Sequence, residues 1–196
     1  SGDVKQSGYF EIETGKVTLG ELIYDENFGG GIRDDNGLQA IIPGGSSSKI
    51  LKAGETFSIG EDKIDLLDVP YDFDTLMKIG TMSGSGAIIV IDESRDIVEC
   101  LANLAEFYAH ESCGQCTPCR EGSLWMNKAL HRMTHGEART EDAEYLLNIA
   151  QNIQGRTVCA FGEACSWPVL SFVNKFKDKF EAKALDTSEK EPAATS

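Results

Sequence analysis

Two periods of apolar residues divide the chain. From Ser1 to about Ile91 they come in short runs of strand type broken by glycines, and from Ile97 onward they recur at helical spacing. In the first part Val4 predicts a short strand ending in a turn at Ser7-Gly8, and Tyr9, Phe10 and Ile12 predict a second. Thr18-Leu19-Gly20-Glu21 has the form of a capping box, in which the threonine and glutamate side chains satisfy each other's backbone N–H groups. A short helix should therefore start there, run through Ile23 and Tyr24, and end at Phe28-Gly29-Gly30-Gly31. Leu38 to Ile42 reads as a third strand, closed by Pro43-Gly44-Gly45. Asp72 to Lys78 reads as a helical turn, and Ala87 to Ile91 as a last, buried strand. Strands surrounding one helix predict a small α+β domain of β-grasp type over residues 1–92.

The second part predicts four helices. Ile97, Leu101, Leu104 and Tyr108 mark the first; Met126, Leu130 and Met133 the second. Ala143, Leu146, Leu147, Ala150 and Ile153 mark the third, with Thr140 as its N-cap. Val169, Val173, Phe176 and Phe180 mark the fourth, with Pro168 in its first turn, where a missing N–H costs nothing. Each stripe is one apolar face and is read as core, so the four helices should bury their faces together as a bundle over residues 93–182. Residues 183–196, ending in the polar stretch Ser188 to Ser196, are expected to form a disordered tail.

Composition narrows the function classes. The chain has 196 residues, 41% of them hydrophobic, enough to bury the core of one or two small domains. A net charge of −14 argues against nucleic acid or an anionic membrane as partner, since both require a basic face. The longest purely apolar run, Ala87 to Ile91, is far shorter than the roughly 20 residues a spanning helix needs. The first ten residues lack the apolar segment of a signal peptide, so a soluble chain with reduced cysteines is expected. Ser1 in place of a methionine suggests a fragment or a processed piece.

The chemistry concentrates at Glu111-Ser112-Cys113-Gly114-Gln115-Cys116-Thr117-Pro118-Cys119-Arg120, where three of the six cysteines fall within seven residues. The spacing C-x2-C-x2-C lets three thiolates each take one iron of a cubane cluster, with a remote cysteine completing the set. Cys159 and Cys165 are the two candidates for that fourth position. Gly114 allows a tight turn, and a set of soft thiolates is what iron–sulfur clusters select. Structural zinc fits less well, because it is usually held by two separated pairs of ligands. A thiol–disulfide centre at Cys116-Thr117-Pro118-Cys119 fits less well too, because the motif lies between helical patterns and leaves Cys113 unexplained. Cys100 lies inside the first helix and is read as a packing residue. His110 could ligate iron, but a histidine closing a helix C-terminus is the preferred reading. Arg120 could raise a cluster's potential or be merely solvated. The glycine clusters at Gly29–Gly31, Gly44-Gly45 and Gly84–Gly86 are read as turns: none stands between a strand and a helix as a phosphate-cradling loop does.

The segment ESCGQCTPCREG, Glu111 to Gly122, resembles the NADH-binding flavoprotein subunit of respiratory complex I, the F subunit of bacterial NADH-quinone oxidoreductase. Phe107 to His110, Ile42 to Ser47, Gly155 to Ala160 and Trp167-Pro168-Val169 extend the resemblance over most of the chain. It implies an SLBB domain of ubiquitin-like β-grasp fold followed by a four-helix domain carrying one [4Fe–4S] cluster. Cys113, Cys116 and Cys119 match the family's clustered ligands and Cys159 the remote one, whereas Cys165 falls where other small residues occur. The family's reaction passes a hydride from NADH to FMN, and electrons then move singly through the cluster towards quinone. The FMN- and NADH-binding domain has no counterpart in this sequence, so FMN is implied without a site here, and the chain by itself is not expected to oxidise NADH. Other soluble-arm subunits and the flavin domain are the implied partners, with the whole peripheral to the inner membrane on the cytoplasmic side. Diaphorase subunits of NAD-linked hydrogenases and formate dehydrogenases share these features, and a zinc-stabilised binding module is the more distant alternative.

Overall fold

Thr18 and Glu21 form the reciprocal pair that the capping box requires. The Glu21 N–H donates to Thr18 Oγ1 at 3.1 Å, and the Thr18 N–H donates to Glu21 Oε2 at 2.8 Å. Helix α1 (Leu19–Tyr24) starts there and buries Leu19 and Ile23. The structure, a computed structural model, describes residues 1–188, excluding the side chains of 185–188. The described residues divide into two compact units, 1–95 and 96–188.

In the first unit strand β1 (Leu38–Ile42) is the centre of a three-stranded antiparallel sheet. Its neighbours are β2 (Leu51–Lys52) and β5 (Ile89–Asp92), so Ile41 faces Leu51 on one side and Val90 on the other. Strands β3 (Thr56–Ile59) and β4 (Asp62–Asp65) form a separate hairpin. Helix α2 (Phe73–Lys78) is capped by Asp72, whose carboxylate accepts the Thr75 N–H at 2.7 Å. Leu19, Ile23, Ile41, Leu51, Leu76 and Val90 fill the core between these elements. Gly44 is required for close approach, since a Cβ there would lie 2.4 Å from the Ser83 carbonyl carbon.

The α+β class is as expected, but the strands differ in detail. Val4 makes one isolated bridge, to Ile32, and Tyr9-Phe10-Ile12 forms no strand. Those apolar residues do not alternate between a core and solvent: Tyr9 is exposed, and Phe10 packs edge-on against Phe28 at 5.6 Å. The last strand begins at Ile89 rather than Ala87, and β2, β3 and β4 carry too few apolar residues to stand out as strands.

The second unit is helical: α3 (Ile97–Glu111), α4 (Thr117–Thr134), α5 (Asp142–Ile153), α6 (Phe161–Lys175) and α7 (Lys177–Ser188). Helix α4 packs between α3 and α5, α6 packs on α3 and α5, and α7 touches the other four. Leu101, Met126, Leu130, Leu146, Phe172 and Phe180 are fully buried among them.

Five helices replace the expected four because the last stripe breaks at Phe176, the C-cap of α6, which places Phe180 on α7. Helix α6 starts at Phe161, so Pro168 lies inside it rather than in its first turn. The helix continues through the proline because Cys165, Val169 and Phe172 are buried on one face, and this burial offsets the missing hydrogen bond. Helix α7 extends past 182 because Phe180 and Ala184 are both buried one turn apart. The remainder of the expected tail, 189–196, lies outside the described residues. Thr140 is not the cap of α5; that position belongs to Glu141, which makes no side-chain cap bond. The buried Asp142 carboxylate instead accepts the Arg139 N–H at 3.0 Å and pairs with the Arg132 guanidinium, tying the α4–α5 loop down.

Candidate metal centre

The cysteine motif is the loop between α3 and α4 together with the first turn of α4. Ser112 closes α3, its N–H donating to Tyr108 O at 3.2 Å. Gly114 has φ +77°, the left-handed conformation that turns the chain back towards the next helix. Cys116 is the N-cap of α4 and is extended (φ −92°, ψ 124°), with Thr117 and Pro118 as the first two helical residues. The proline is tolerated there because first-turn amides have no helical partner. Cys119 follows on the same turn and is buried, whereas Cys113 is exposed and Cys116 half-buried.

Helix α4 thus starts inside the motif, well before the apolar stripe from Met126 that signals it in sequence. The Cys116 side chain makes no cap hydrogen bond to the first-turn amides, so the positive end of the helix dipole lies beside the cysteines and favours anionic sulfur. Arg120 has a defined role: its Nη1 donates to Gly114 O at 2.8 Å, and its Nε donates to Glu121 Oε1 at 2.9 Å. It holds the loop rather than standing free in solvent.

A second segment reaches this loop from the connection between α5 and α6. The Val158 N–H donates to Cys116 Sγ at 3.4 Å, across 42 residues of sequence. Cys159, the next residue, is exposed, and its carbonyl accepts from Thr157 Oγ1 at 2.9 Å. The Gly155 N–H donates to Glu163 Oε1 at 2.6 Å and fixes the other end of the connection. Cys165 is buried within α6 rather than in this loop, beside the Cys119 thiol of the first motif, and its S–H donates to Gly162 O at 3.3 Å. Burial, and secondarily the neighbouring Cys119, push the Cys165 thiol up to about 12.

Two groups at the site carry no sequence signal of their own. Ser112 Oγ lies 3.3 Å from Cys119 Sγ and accepts the Gly114 N–H at 3.4 Å. The Val158 N–H is a backbone group, and its placement depends on how α5 and α6 are joined. His110 is exposed and meets Glu111 Oε1 through Nδ1 at 3.0 Å. Cys100 is half-buried on α3.

Cys113, Cys116 and Cys119 share one loop and one helix start, and the segment bearing Cys159 is hydrogen-bonded to that loop. Among the described residues no three metal-binding side chains converge on a common point. The donor set nevertheless fits an iron–sulfur cluster. It offers soft thiols, an N–H directed at sulfur, a helix start beside them and a glycine-permitted turn.

Residues 99–183 match the family described as NADH-ubiquinone oxidoreductase-F iron-sulfur binding region. The F subunit of the Rickettsia typhi NADH-quinone oxidoreductase is 42% identical over 185 residues, covering 93% of this chain and 40% of that protein. The chain is a homologue of the C-terminal iron–sulfur-binding region of the F subunit. The corresponding protein of Rickettsia conorii is 41% identical over 190 residues, which is 96% of this chain and 42% of that protein. This F-subunit homologue therefore spans about 40% of the length of these curated relatives. A crystal structure of an NAD+-reducing [NiFe]-hydrogenase in the H2-reduced state superposes with a TM-score of 0.74 at 30% identity, over 93% of this chain and 28% of the hydrogenase chain.

Proposed function

We propose that this F-subunit homologue holds one [4Fe–4S] cluster through Cys113, Cys116, Cys119 and Cys159 and serves as an electron-transfer segment of an NADH-quinone oxidoreductase. The match of residues 99–183 to an iron–sulfur binding region carries this reading, since the span contains all four cysteines. When bound, the cluster would supply reversible one-electron transfer between FMN reduced by NADH and the next centre on the way to quinone. The residues of the chain set its position and surroundings. Cys116 and Cys119 are fixed by the first turn of α4, Gly114 and Arg120 shape the loop that carries Cys113, and Val158 hydrogen-bonds the second segment to the first. Burial of Cys119 puts that sulfur in surroundings where hydrogen bonds and the helix dipole act strongly.

Cys159 is favoured over Cys165 as fourth ligand because it adjoins the residue whose N–H reaches Cys116. It also lies in a loop rather than a helix interior. The proposed partners are the other soluble-arm subunits of complex I and a domain carrying FMN and the NADH pocket. A peripheral place on the cytoplasmic side of the inner membrane goes with that assembly; among the described residues no helix is long and apolar enough to cross a membrane. The likeness to the NAD+-reducing hydrogenase favours a second reading, the diaphorase subunit of a hydrogenase, in which the same cluster takes part in a different complex.

Anaerobically reconstituted protein should contain about four iron and four acid-labile sulfide per chain. Stoichiometric zinc without sulfide would overturn the reading.

A further inference from the structure

Cys119 is the buried member of the proposed ligand set, 7% exposed, and its sulfur has a hydroxyl at hydrogen-bond distance. Ser112 Oγ sits 3.3 Å from Cys119 Sγ across seven residues of sequence. On its other side the same oxygen accepts the Gly114 N–H at 3.4 Å. In the free thiol either partner of the Ser112–Cys119 contact can donate. Iron ligation removes the Cys119 proton and leaves sulfur as an acceptor alone. The hydroxyl must then donate, and with the Gly114 N–H occupying one of its lone pairs its proton is directed at the sulfur.

We propose that Ser112 is a tuning residue for the cluster: its hydroxyl donates a hydrogen bond to the Cys119 thiolate and raises the cluster's reduction potential. This deepens the iron–sulfur reading and rests on it. Reduction adds negative charge that is shared with the ligand sulfurs. A donor aimed at one of them stabilises the reduced state more than the oxidised one. Partial burial magnifies the difference, because water does not compete for that sulfur. The Val158 N–H to Cys116 is a second bond of this kind, but it belongs to the backbone and no side-chain substitution removes it. The Cys165 thiol also lies beside Cys119 and stays unchanged in every variant, so Ser112 is the hydroxyl contact that is varied.

The test uses the full chain, reconstituted anaerobically, as wild type and as Ser112→Ala, Ser112→Thr and Ser112→Val. Iron and sulfide are counted first, and the midpoint potential is then read by an EPR-monitored redox titration. Threonine and valine have nearly the same shape and differ in the hydroxyl, so their comparison removes packing effects. Ser112→Ala and Ser112→Val should keep four iron. Their reduction equilibrium should shift about three- to tenfold towards the oxidised form, tenfold being about 59 mV for one electron. Ser112→Thr should lie close to wild type. Equal potentials in the threonine and valine variants overturn the proposal, as does a fully loaded Ser112→Ala at the wild-type potential. If Ser112→Ala does not load, the threonine–valine pair decides. If no variant loads, Ser112 serves cluster retention rather than potential, and the proposal fails. Zinc in the wild-type chain itself overturns the underlying iron–sulfur reading, which the initial metal count identifies separately.

Discussion

Six thiols in one chain have different prospects as ligands, and their surroundings distinguish them. Cys165 is buried in α6 beside Cys119 with its S–H given to its own helix, and we propose that it serves as a small packing group. Cys159 lies exposed in a loop, next to the residue that bonds Cys116. Cys159→Ser should abolish the four-iron cluster or leave a three-iron remnant, because serine oxygen is a harder and poorer ligand for cluster iron. Cys165→Ala should retain the cluster and lower stability by about 1 kcal/mol, the cost of a small cavity. Iron analysis and urea midpoints of the two variants check this pair of outcomes; the reverse pattern of iron retention would assign the ligand to Cys165. Ser112 was not identifiable as a contributor from sequence, since a serine beside a cysteine has no distinctive pattern. Its role depends on the chain turning at Gly114 so that residues 112 and 119 meet.

At the scale of the element, helix starts carry much of the organisation of the second unit. Asp96 caps α3, accepting the Val98 N–H at 2.9 Å, and its other oxygen pairs with the Lys183 ammonium on α7. Burial opposes ionisation of Asp96, but the Lys183 partner and the cap N–H groups outweigh it and hold its carboxyl below the usual carboxylate value. A depressed folded-state value means the stabilisation is fully present above the unfolded value of about 3.9. It is lost as pH falls through the lower folded value. Asp96→Asn keeps a cap but cannot ionise, so its stability should vary less than that of wild type between about pH 4 and pH 2. Asp96→Ala should lose about 1 kcal/mol at neutral pH. Urea denaturation of the three proteins at pH 7, 4 and 3 measures both effects; parallel curves for wild type and Asp96→Asn would remove Asp96 from the acid response.

At the scale of the molecule, each of the two units has its own core, and the proposed cluster lies in the second. A cluster bound to the folded state alone stabilises the unit that holds it by mass action. Both tryptophans, Trp125 and Trp167, are on helices of that unit, so their fluorescence reports on it selectively. Removing the cluster with chelator and oxidant should lower the tryptophan-detected melting temperature by several degrees. It should leave hydrogen-exchange protection of β1 and β5 unchanged. Equal loss of protection in both units would mean that the cluster supports the whole chain.

The sequence alone determined the features whose physics lies within a turn or two of chain. The Thr18 capping box, strand β1 and the first three helical stripes are of this kind, and so is the C-x2-C-x2-C spacing that marks the candidate metal centre. Hydrogen bonds between residues three or four apart, and apolar stripes of helical period, are properties of local sequence. Tertiary structure decided what depends on distant partners. It paired β1 with β2 and β5, and it carried α6 through Pro168 because burial on its inner face outweighs one missing bond. It also buried Cys119 while leaving Cys113 and Cys159 exposed. It brought the Val158 N–H to Cys116, a contact no local pattern encodes, because which backbone N–H meets which sulfur depends on how α5 and α6 pack against α4.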